Sequence, residues 1–279
     1  MEYIKSPINY AGSKFRLIKK GLLNYFPDNI DTFVDLFGGA GNVSVNVNAN
    51  NIIYNDKIPY LPKLFNTWEN KSLEEINQHI DNRIKEFNLN SQNVEGFLNF
   101  RKFYNENKNI EDLFILICYS FNYQMRFNKS GLYNSSFGKE ASTMNDNIRK
   151  NLNIFINEIK KKNIRFVNKD FNELKIEKLN KDDFVYLDPP YYLSCAVYQD
   201  GGGWNSKNEI ELYDLLDRLN ENNIKFALSN LKESKGKVNE ILLEKCNKYN
   251  IIELNMSYNN SNYHRKNNGK DIEVLITNY

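Results

Sequence analysis

Four residues with unusual chemistry, Asp188-Pro189-Pro190-Tyr191, follow a short apolar run at residues 183–187. The apolar run is typical of a buried β-strand. Two consecutive prolines prevent both helix formation and strand pairing, so we expect a rigid corner at this point. Such a corner can hold a planar amine, because its carboxylate and a backbone carbonyl accept N–H bonds while the tyrosine ring stacks on the attached base. A strand that ends in a proline-rich turn with an exposed acid is the alternative interpretation.

A glycine-rich turn at residues 38–41 follows a strand pattern at residues 32–37 and precedes a predicted helix start. This arrangement is typical of a nucleotide site, because glycines let the backbone approach the ligand and the helix offers free N–H groups. Asp35 lies in the strand and suits the cationic end of a ligand. Asp56 closes the next strand about 20 residues after the first glycine, where a carboxylate binds ribose hydroxyls. The glycine spacing is not G-x-G-x-x-G, which disfavours a nicotinamide cofactor, and a turn of purely steric use is the alternative.

A basic, polar segment between the glycine turn and the proline corner suggests contact with nucleic acid. Residues 124–150 contain five Lys or Arg against two acids, within a chain whose net charge is only +2. Cations can contact phosphates, and side-chain amides can form hydrogen bonds with base edges. Aromatic rings can insert between bases or stack on them. A basic solvated loop is the alternative interpretation.

The composition sets limits without choosing a function. The 279 residues are 41% hydrophobic and 14% aromatic, which is sufficient for a substantial core. Three cysteines without a C-x-x-C pair indicate a reduced cytoplasmic protein and imply no metal site. The N-terminus contains no apolar targeting segment, and no apolar run is long enough to span a membrane.

Alternating strand and helix patterns at both ends of the chain predict an α/β fold. Between residues 61 and 162 the pattern changes to long polar helices with few strand signals. We therefore expect a parallel sheet interrupted by a helical insertion. Strands are predicted at residues 32–37, 51–55, 164–167, 184–187, 224–229 and 272–277, and helices at residues 73–87, 94–105, 110–123, 148–162 and 207–222.

Together these segments resemble the Dam and DpnM family of DNA adenine methyltransferases, in which a cofactor motif, a target-recognition domain and a catalytic motif follow one another. Residues 7–14 resemble the family's P-x-x-x-x-G-x-K segment, although Lys14 alone would be interpreted as a solvated charge. The glycine turn resembles its F-x-G-x-G loop, and the proline corner matches its D-P-P-Y motif. Asn55-Asp56 and Asp170-Phe171 match the acidic ribose contact and the D-F pair beside the cofactor's adenine.

The resemblance implies a Rossmann-like S-adenosylmethionine-dependent methyltransferase sheet with an inserted helical target-recognition domain. It assigns residues 1–60 and 163–279 to the catalytic domain and residues 61–162 to target recognition, with a DNA-reading hairpin at 124–140. S-adenosylmethionine is the expected cofactor. The implied catalytic residues are Asp188, Pro189, Pro190 and Tyr191, and the implied cofactor-binding residues are Tyr10, Lys14, Asp35, Phe37, Gly38, Gly41, Asp56, Asp170, Phe171 and Asp188.

The basic segment resembles the family's target-reading motif, R-[FY]-N-x-x-G-x-[FY]-N-x-P-F-G. Ser136 replaces the proline of this motif, and Ser130 stands where family members that read GATC often have a cation. GATC is therefore one candidate recognition site among others. The implied DNA-binding residues are Arg126, Phe127, Asn128, Lys129, Ser130, Asn134 and Lys139.

The function implied by the resemblance is transfer of a methyl group from S-adenosylmethionine to the 6-amino group of adenine at a specific site in duplex DNA. The expected partners are double-stranded DNA and a cognate restriction endonuclease, unless the enzyme is a solitary bacterial or phage methylase. An amino methyltransferase acting on cytosine, RNA or a protein amide is the alternative enzyme. A non-catalytic nucleic-acid-binding module is the alternative of another class.

Two loops carry less specific signals. Residues 198–204 are rich in glycine and follow the proline corner, so they either close over an extruded base or form a surface turn. His264 lies in a predicted DNA-facing loop at residues 258–266. Since no partner acid is evident for this histidine, we do not expect it to act as a catalytic base.

Overall fold

The computed structural model describes residues 2–195, 203–254 and 271–279, except for the side chain of Cys195. The chain folds into two compact units that are each built from several segments. The first contains residues 1–23, 38–47 and 58–168, and the second contains residues 24–37, 48–57 and 169–279. The assignment of residues 61–162 to target recognition stays a prediction.

The secondary structure alternates between strands and helices at both ends of the chain. In the described residues the strands are β1 (Thr32–Asp35), β2 (Asn51–Asn55), β3 (Ile164–Val167), β4 (Phe184–Leu187), β5 (Lys225–Ser234), β6 (Lys237–Val238), β7 (Asn250–Leu254) and β8 (Ile272–Thr277). The α-helices are α1 (Phe15–Lys19), α2 (Asn42–Asn46), α3 (Tyr60–Glu69), α4 (Leu73–Glu86), α5 (Val94–Asn107), α6 (Ile110–Tyr119), α7 (Asp146–Lys161), α8 (Tyr192–Cys195), α9 (Ser206–Glu221) and α10 (Glu240–Cys246). The predicted α/β class is confirmed.

The second unit is built on a mixed sheet with the strand order β2-β1-β4-β5-β8-β7. The first four of these strands are parallel, whereas β8 runs antiparallel to both β5 and β7. The expected parallel sheet is therefore present in these four strands, and the antiparallel β8 makes the sheet as a whole mixed. The mostly parallel core of the sheet is nevertheless the Rossmann-like arrangement that the sequence predicts, and the parallel strands end at a common edge.

Apolar residues in register form the core of this unit. Val34, Val185 and Phe226 lie side by side on β1, β4 and β5, and all are fully buried. Helix α9 packs on the same core through leucines spaced three or four residues apart, as an amphipathic helix requires. Each fully buried leucine contributes roughly 1.5–3 kcal/mol. These leucines are Leu212, Leu215, Leu216 and Leu219.

The first unit is mainly helical, and aromatic side chains fill its interior. Helix α6 is buried along its whole length. Trp68 packs edge-on against Phe114 at 5.1 Å, and Phe65 packs against Phe155 at the same centroid distance. Because α6 has no exposed face, the helices that pack against it, α3, α4 and α5, must supply the polar surface.

Asparagines start several of the helices. Asn93, Asn109 and Asn145 accept hydrogen bonds from the first-turn backbone N–H groups of α5, α6 and α7. Such a cap contributes about 1 kcal/mol, because it satisfies a backbone donor that the helix itself leaves unpaired. Part of the chain's high asparagine content therefore has a structural role.

Helix α6 is shorter than the predicted helix at residues 110–123. It ends at Tyr119, and Asn122 has a φ of +53° within a short 3₁₀ turn. The hydroxyl of Ser120 donates to the Leu116 carbonyl at 2.7 Å, while its own backbone is extended. The apolar periodicity continues past residue 119, but this turn redirects the chain into the basic segment.

Within the residues that the structure describes, no helix has the length and apolar character needed to cross a membrane.

Candidate functional site

The proline corner lies where the completely buried strand β4 ends in the second unit. Asp188 and Tyr191 are half-buried, Pro189 is buried and Pro190 is exposed. The strand beneath is held in place from β1, because the Leu36 N–H donates to the Tyr186 carbonyl at 3.0 Å. The corner is therefore a short stiff segment on a rigid strand, as the sequence predicts.

The hydroxyl of Tyr191 donates a 2.6 Å hydrogen bond to Oε1 of Glu273. Glu273 belongs to β8 and is buried. Desolvation raises the pKa of Tyr191 well above its ordinary value, and the carboxylates of Asp188 and Glu273 raise it further. The hydroxyl therefore stays protonated and remains a donor. Glu273 was not singled out from the sequence as a functional residue.

Acidic side chains gather near one buried tyrosine at this edge of the sheet. Tyr186 forms a 2.7 Å hydrogen bond with Ser229 through their hydroxyl groups. Burial raises the pKa of Tyr186 well above its ordinary value. Nearby carboxylates raise this pKa further, and they belong to Asp188, Asp35 and Glu273. A region with this charge favours a cationic group on a ligand.

Asp56 directly follows β2 and is buried. Its neighbour Asn55 links two parts of the second unit. The Asn55 side-chain amide donates to the carbonyls of Leu36 at 2.9 Å and Lys169 at 3.1 Å, and its oxygen accepts from the Lys169 N–H at 3.0 Å. Asn55 thus ties the end of β1 to the backbone just before Asp170. It was quoted in the sequence motif but not predicted as a site residue.

Asp170 is held by a cation and by the backbone. Lys57 Nζ lies 2.8 Å from the Asp170 carboxylate, which also accepts from the Asn172 N–H at 3.0 Å. Partial burial alone would raise the pKa of Asp170, but the hydrogen bonds from Lys57 and Asn172 outweigh it and lower the pKa. Asp170 is therefore ionised at neutral pH and points in a defined direction.

An aromatic cluster of Phe37, Phe171 and Trp204 lies beside these acids in the second unit. The ring of Phe171 is 5.5 Å from both Phe37 and Trp204, and Phe37 is 5.7 Å from Trp204. The indole N–H of Trp204 donates to Glu209 at 2.6 Å. Phe37 and Phe171 are predicted site residues, whereas the cluster formed with Trp204 was not anticipated.

The buried carboxylate of Glu209 explains why Trp204 has a fixed position. Besides Trp204, it accepts hydrogen bonds from Tyr213 at 2.5 Å, Asn230 at 2.9 Å and Asn239 at 3.1 Å. A fully buried carboxylate is stable when several donors surround it in this way. The network therefore fixes the indole of Trp204 just before helix α9.

The side chains of the second unit together fit a nucleotide with a cationic end. Asp35 and its neighbouring carboxylates suit the cation, Asp56 suits hydroxyl groups, and the aromatic cluster suits a planar base. The structure brings these predicted residues to one edge of one sheet. Their roles as ligand contacts remain predictions.

The first unit contains the remaining predicted cofactor residues, Tyr10, Lys14, Gly38 and Gly41. Lys14 is 6% exposed and its Nζ donates to the Gly12 carbonyl at 3.1 Å, so it is not a solvated surface charge. Gly41 has a φ of +74°, and a Cβ at this position would lie 3.2 Å from the ring of Phe65. The glycine at this position is therefore required by both backbone conformation and packing.

The segment that contains Tyr10 and Lys14 is held against helix α2 by asparagines. Asn46 exchanges two 2.7 Å hydrogen bonds with the backbone of Ile4. Asn42 accepts from the Ser6 N–H at 2.9 Å. Because α2 begins just after the glycine turn, these bonds connect two of the sequence motifs within one unit.

Six of the seven predicted DNA-reading residues lie on a short hairpin of the first unit, whereas Lys139 begins the 3₁₀ helix Lys139–Ala141 that follows it. Phe127 and Tyr133 form an antiparallel bridge, and the Asn134 N–H donates to the Arg126 carbonyl at 3.0 Å. Most of the predicted contacts are exposed side chains, namely Arg126, Asn128, Lys129, Ser130, Asn134 and Lys139. The hairpin thus presents cations and amides to the solvent.

Two of the predicted DNA-reading residues also stabilise the hairpin itself. Phe127 is half-buried and stacks on Tyr60 at a centroid distance of 4.0 Å and an interplanar angle of 6°. The side-chain oxygen of Asn128 accepts from the N–H groups of Ser130 at 3.0 Å and Leu132 at 2.9 Å. Phe127 therefore packs against the protein, and Asn128 shapes the turn.

Helix α5 and the residue that follows it, Lys108, hold the hairpin through their side chains. Asn105 donates to the Tyr133 carbonyl at 3.0 Å and accepts from the Tyr133 N–H at 2.8 Å, as a neighbouring strand would. Two cations reinforce this contact: Arg101 donates to the Ser135 carbonyl at 2.9 Å and Lys108 to the Gly131 carbonyl at 3.1 Å. None of these residues was singled out from the sequence.

Two predicted features lie wholly or partly outside the described residues. The loop at 198–204 is described only at Gly203 and Trp204, and His264 falls within residues 255–270, which are not described. Two expectations therefore stay predictions: that the loop closes over an extruded base or forms a surface turn, and that His264 is not a catalytic base.

Comparison with known proteins identifies relatives over the whole chain. Residues 10–260 match the family model described as D12 class N6 adenine-specific DNA methyltransferase. The chain is 47% identical over 281 residues to the Type II methyltransferase M.FokI of Planomicrobium okeanokoites, covering 99% of this chain and 43% of that protein. It is 40% identical over 284 residues to the modification methylase StsI of Streptococcus sanguinis, covering 100% of this chain and 43% of that protein.

A third relative, the modification methylase LlaI of Lactococcus lactis subsp. lactis, is 30% identical over 285 residues, covering 100% of this chain and 44% of that protein. The chain thus spans less than half the length of these curated relatives. The match to the family model includes both the glycine turn and the proline corner.

Proposed function

Since the chain belongs to the D12 class of N6 adenine-specific DNA methyltransferases, we propose that it transfers a methyl group from S-adenosylmethionine to the 6-amino group of adenine at a specific site in duplex DNA. The observation that carries this proposal is the Asp188-Pro189-Pro190-Tyr191 corner, which lies at the same sheet edge as Asp35 and Asp56.

The chemistry at the corner is the orientation of a weak nucleophile. The amine of adenine is conjugated with its ring, so its lone pair is poorly available. Hydrogen bonds from the amine to the Asp188 carboxylate and the Pro189 carbonyl would direct that lone pair away from the ring. Because the corner is rigid, these acceptors need no rearrangement when the reaction occurs.

S-adenosylmethionine supplies a methyl group that is already activated by its sulfonium. The chain's own residues bind and orient this donor. Asp35 attracts the cationic methionine end, the buried Asp56 accepts from the ribose hydroxyls, and Phe37 and Phe171 border the adenine ring. Lys14, which is held by the Gly12 carbonyl, orders the N-terminal segment and does not act as a base.

The target base must leave the duplex to reach Asp188, because its amine is enclosed in the base stack. Tyr191 would stack on the extruded adenine. The exposed cations Arg126 and Lys129 of the hairpin, and Lys139 shortly after it, would contact phosphates and base edges. Since the proposed substrate is cellular DNA, the proposed location is the cytoplasm.

A cognate restriction endonuclease that reads the same site is part of the proposal. It is supported by the names of the relatives, a Type II methyltransferase and two modification methylases. DNA from cells that express the chain would then resist one endonuclease at the methylated sequence and remain sensitive to others.

Sequencing that detects modified bases tests the proposed reaction directly. We expect DNA from cells that express the chain to contain N6-methyladenine at one short sequence, and DNA from cells that express Asp188→Ala to contain none. Methylcytosine in place of methyladenine, or an unmodified genome, would contradict the proposal. A calorimetric titration with S-adenosylmethionine separates the enzyme from a non-catalytic nucleic-acid-binding module, which would not bind it.

A further inference from the structure

Glu273 is a charged residue in a strand that otherwise supplies apolar core. It is 2% exposed, whereas the residues that follow it, Val274, Leu275 and Ile276, are fully buried. A buried carboxylate is costly unless hydrogen bonds compensate for the lost water. The strand pattern of β8 alone gives no reason for an acid at this position.

The hydrogen bond to Tyr191 provides such a reason. A phenol that donates to a carboxylate at 2.6 Å forms a short, charge-assisted bond. The two prolines fix the backbone before Tyr191, but they leave the two rotations of its side chain free. A bond at the far end of the ring fixes the direction in which the ring points. Because a phenol O–H prefers to lie in the plane of its ring, the same bond also favours ring planes that contain the Glu273 oxygen.

The position of Glu273 in the sheet makes it a rigid acceptor. It pairs with Leu231 of β5 and with Leu254 of β7, so strands lie on both sides of it. The β5–β8 register shifts between Leu231 and Glu233, directly beside Glu273. Such a bulge changes the direction of nearby side chains and is common beside functional sites.

We propose that Glu273 is the positioning residue for Tyr191 and holds its ring at the angle needed to stack on the extruded adenine. This inference rests on the proposed methyltransferase function and deepens it. Glu273 acts through the tyrosine and takes no part in the methyl transfer itself. The expected signature is a loss in turnover rather than in cofactor affinity.

Three substitutions separate the hydrogen bond from the charge and the ring. Tyr191→Phe keeps the ring and removes the donor, Glu273→Ala removes the acceptor, and Glu273→Gln keeps an acceptor oxygen without the charge. We expect kcat on duplex DNA that contains the mapped site to fall about tenfold for Tyr191→Phe and Glu273→Ala. Glu273→Gln recovers most of the activity, and the Kd for S-adenosylmethionine measured by calorimetry stays within about twofold for all three.

The double variant Glu273→Ala/Tyr191→Phe tests whether both residues act through one bond. We expect no loss beyond that of either single variant, because each removes the same interaction. The fluorescent base 2-aminopurine at the target position provides a second readout, since its emission rises when it leaves the stack. We expect altered emission in the variants that lack the bond and near-normal emission for Glu273→Gln.

Additive losses in the double variant, or unchanged kcat and emission for Tyr191→Phe, would overturn the inference while leaving the proposed function intact. If Glu273→Ala fails to fold, kcat and emission of Tyr191→Phe and Glu273→Gln still test the inference, because both substitutions keep the packing of the site. If the wild-type chain itself does not methylate adenine, the proposed function fails and this inference fails with it.

Discussion

At the scale of single residues, the candidate site combines a fixed backbone with side chains that other residues orient. The prolines of the corner determine the backbone path, Glu273 accepts from Tyr191, and Lys57 pairs with Asp170. A carboxylate that only accepts hydrogen bonds can orient an amine without removing its proton first. The site thus depends on geometry more than on an unusual acid or base.

Asp188→Ala tests the residue that we expect to orient the target amine. Removing an acceptor that acts in the transition state costs about 100-fold or more in turnover. We expect this loss in a tritium-transfer assay, with DNA affinity by fluorescence anisotropy within about twofold of wild type. The matched control is Asp28→Ala, which removes an exposed acid from the same unit. Near-normal turnover of Asp188→Ala would contradict the catalytic assignment.

Asp56→Ala tests the predicted ribose contact. Each hydrogen bond to a charged group contributes about 1.5–3 kcal/mol, so the Kd for S-adenosylmethionine should rise about tenfold to 100-fold. Isothermal titration calorimetry measures this change without requiring turnover. Asp182→Ala is a suitable control, because Asp182 is exposed and its contact to Asp31 uses only its backbone carbonyl. Equal affinity for the two variants would refute the role of Asp56.

At the scale of secondary-structure elements, helix α5 acts as a support for the hairpin. Asn105 forms two hydrogen bonds to the backbone of Tyr133, and both groups would lose a partner without it. A hairpin of this length is not stable by itself in water. We therefore attribute its defined shape to α5 and to the ring contact with Tyr60.

Asn105→Ala should loosen the hairpin and weaken DNA binding about tenfold while leaving the affinity for S-adenosylmethionine unchanged. Limited proteolysis should cut the variant faster between residues 126 and 134. The control is Asn107→Ala on the same helix, because the amide of Asn107 contacts only the Phe103 carbonyl among the described hydrogen bonds. Equal DNA affinity and equal rates of proteolysis for the two variants would show that α5 does not control the hairpin.

At the scale of the whole molecule, buried tyrosines predict how stability depends on pH. Burial raises the pKa of both Tyr119 and Tyr133 to about 12, from an ordinary value of 10.0. Between pH 10 and 12 these side chains stay protonated in the folded protein but ionise in the unfolded chain. Each therefore lowers the free energy of unfolding by about 1 kcal/mol per pH unit across this window.

Denaturant unfolding at a series of pH values measures this effect. Below pH 10 we expect these two tyrosines to leave the free energy of unfolding almost independent of pH. Above pH 10 the free energy of unfolding should fall with increasing steepness. The free energy of unfolding of Tyr119→Phe should fall less steeply with pH in the alkaline range than that of the wild type, because phenylalanine has no ionisable hydroxyl. An unchanged alkaline slope in that variant would contradict the burial argument for Tyr119.

Several elements were predictable because their patterns are local. The apolar runs at residues 51–55, 164–167, 184–187 and 272–277 correspond to β2, β3, β4 and β8 without a change in length. Strand β7 and helix α10 were missed. Three of the five residues of β7 are apolar, as in β2, but its place in the sheet is defined by its pairing with β8. The antiparallel direction of β8 also depends on pairing, which no local pattern encodes.

The sequence by itself determined the family, the proline corner, the glycine turn and the basic hairpin, because residue type and close spacing dictate the backbone at each of them. The tertiary structure alone decided which side chains hold these features. Glu273 contacts Tyr191 across 82 residues, and Asn105 contacts Tyr133 across 28. Such partners meet only when strands and helices pack, so their pairing depends on the whole fold and leaves no signal in the residues around either one.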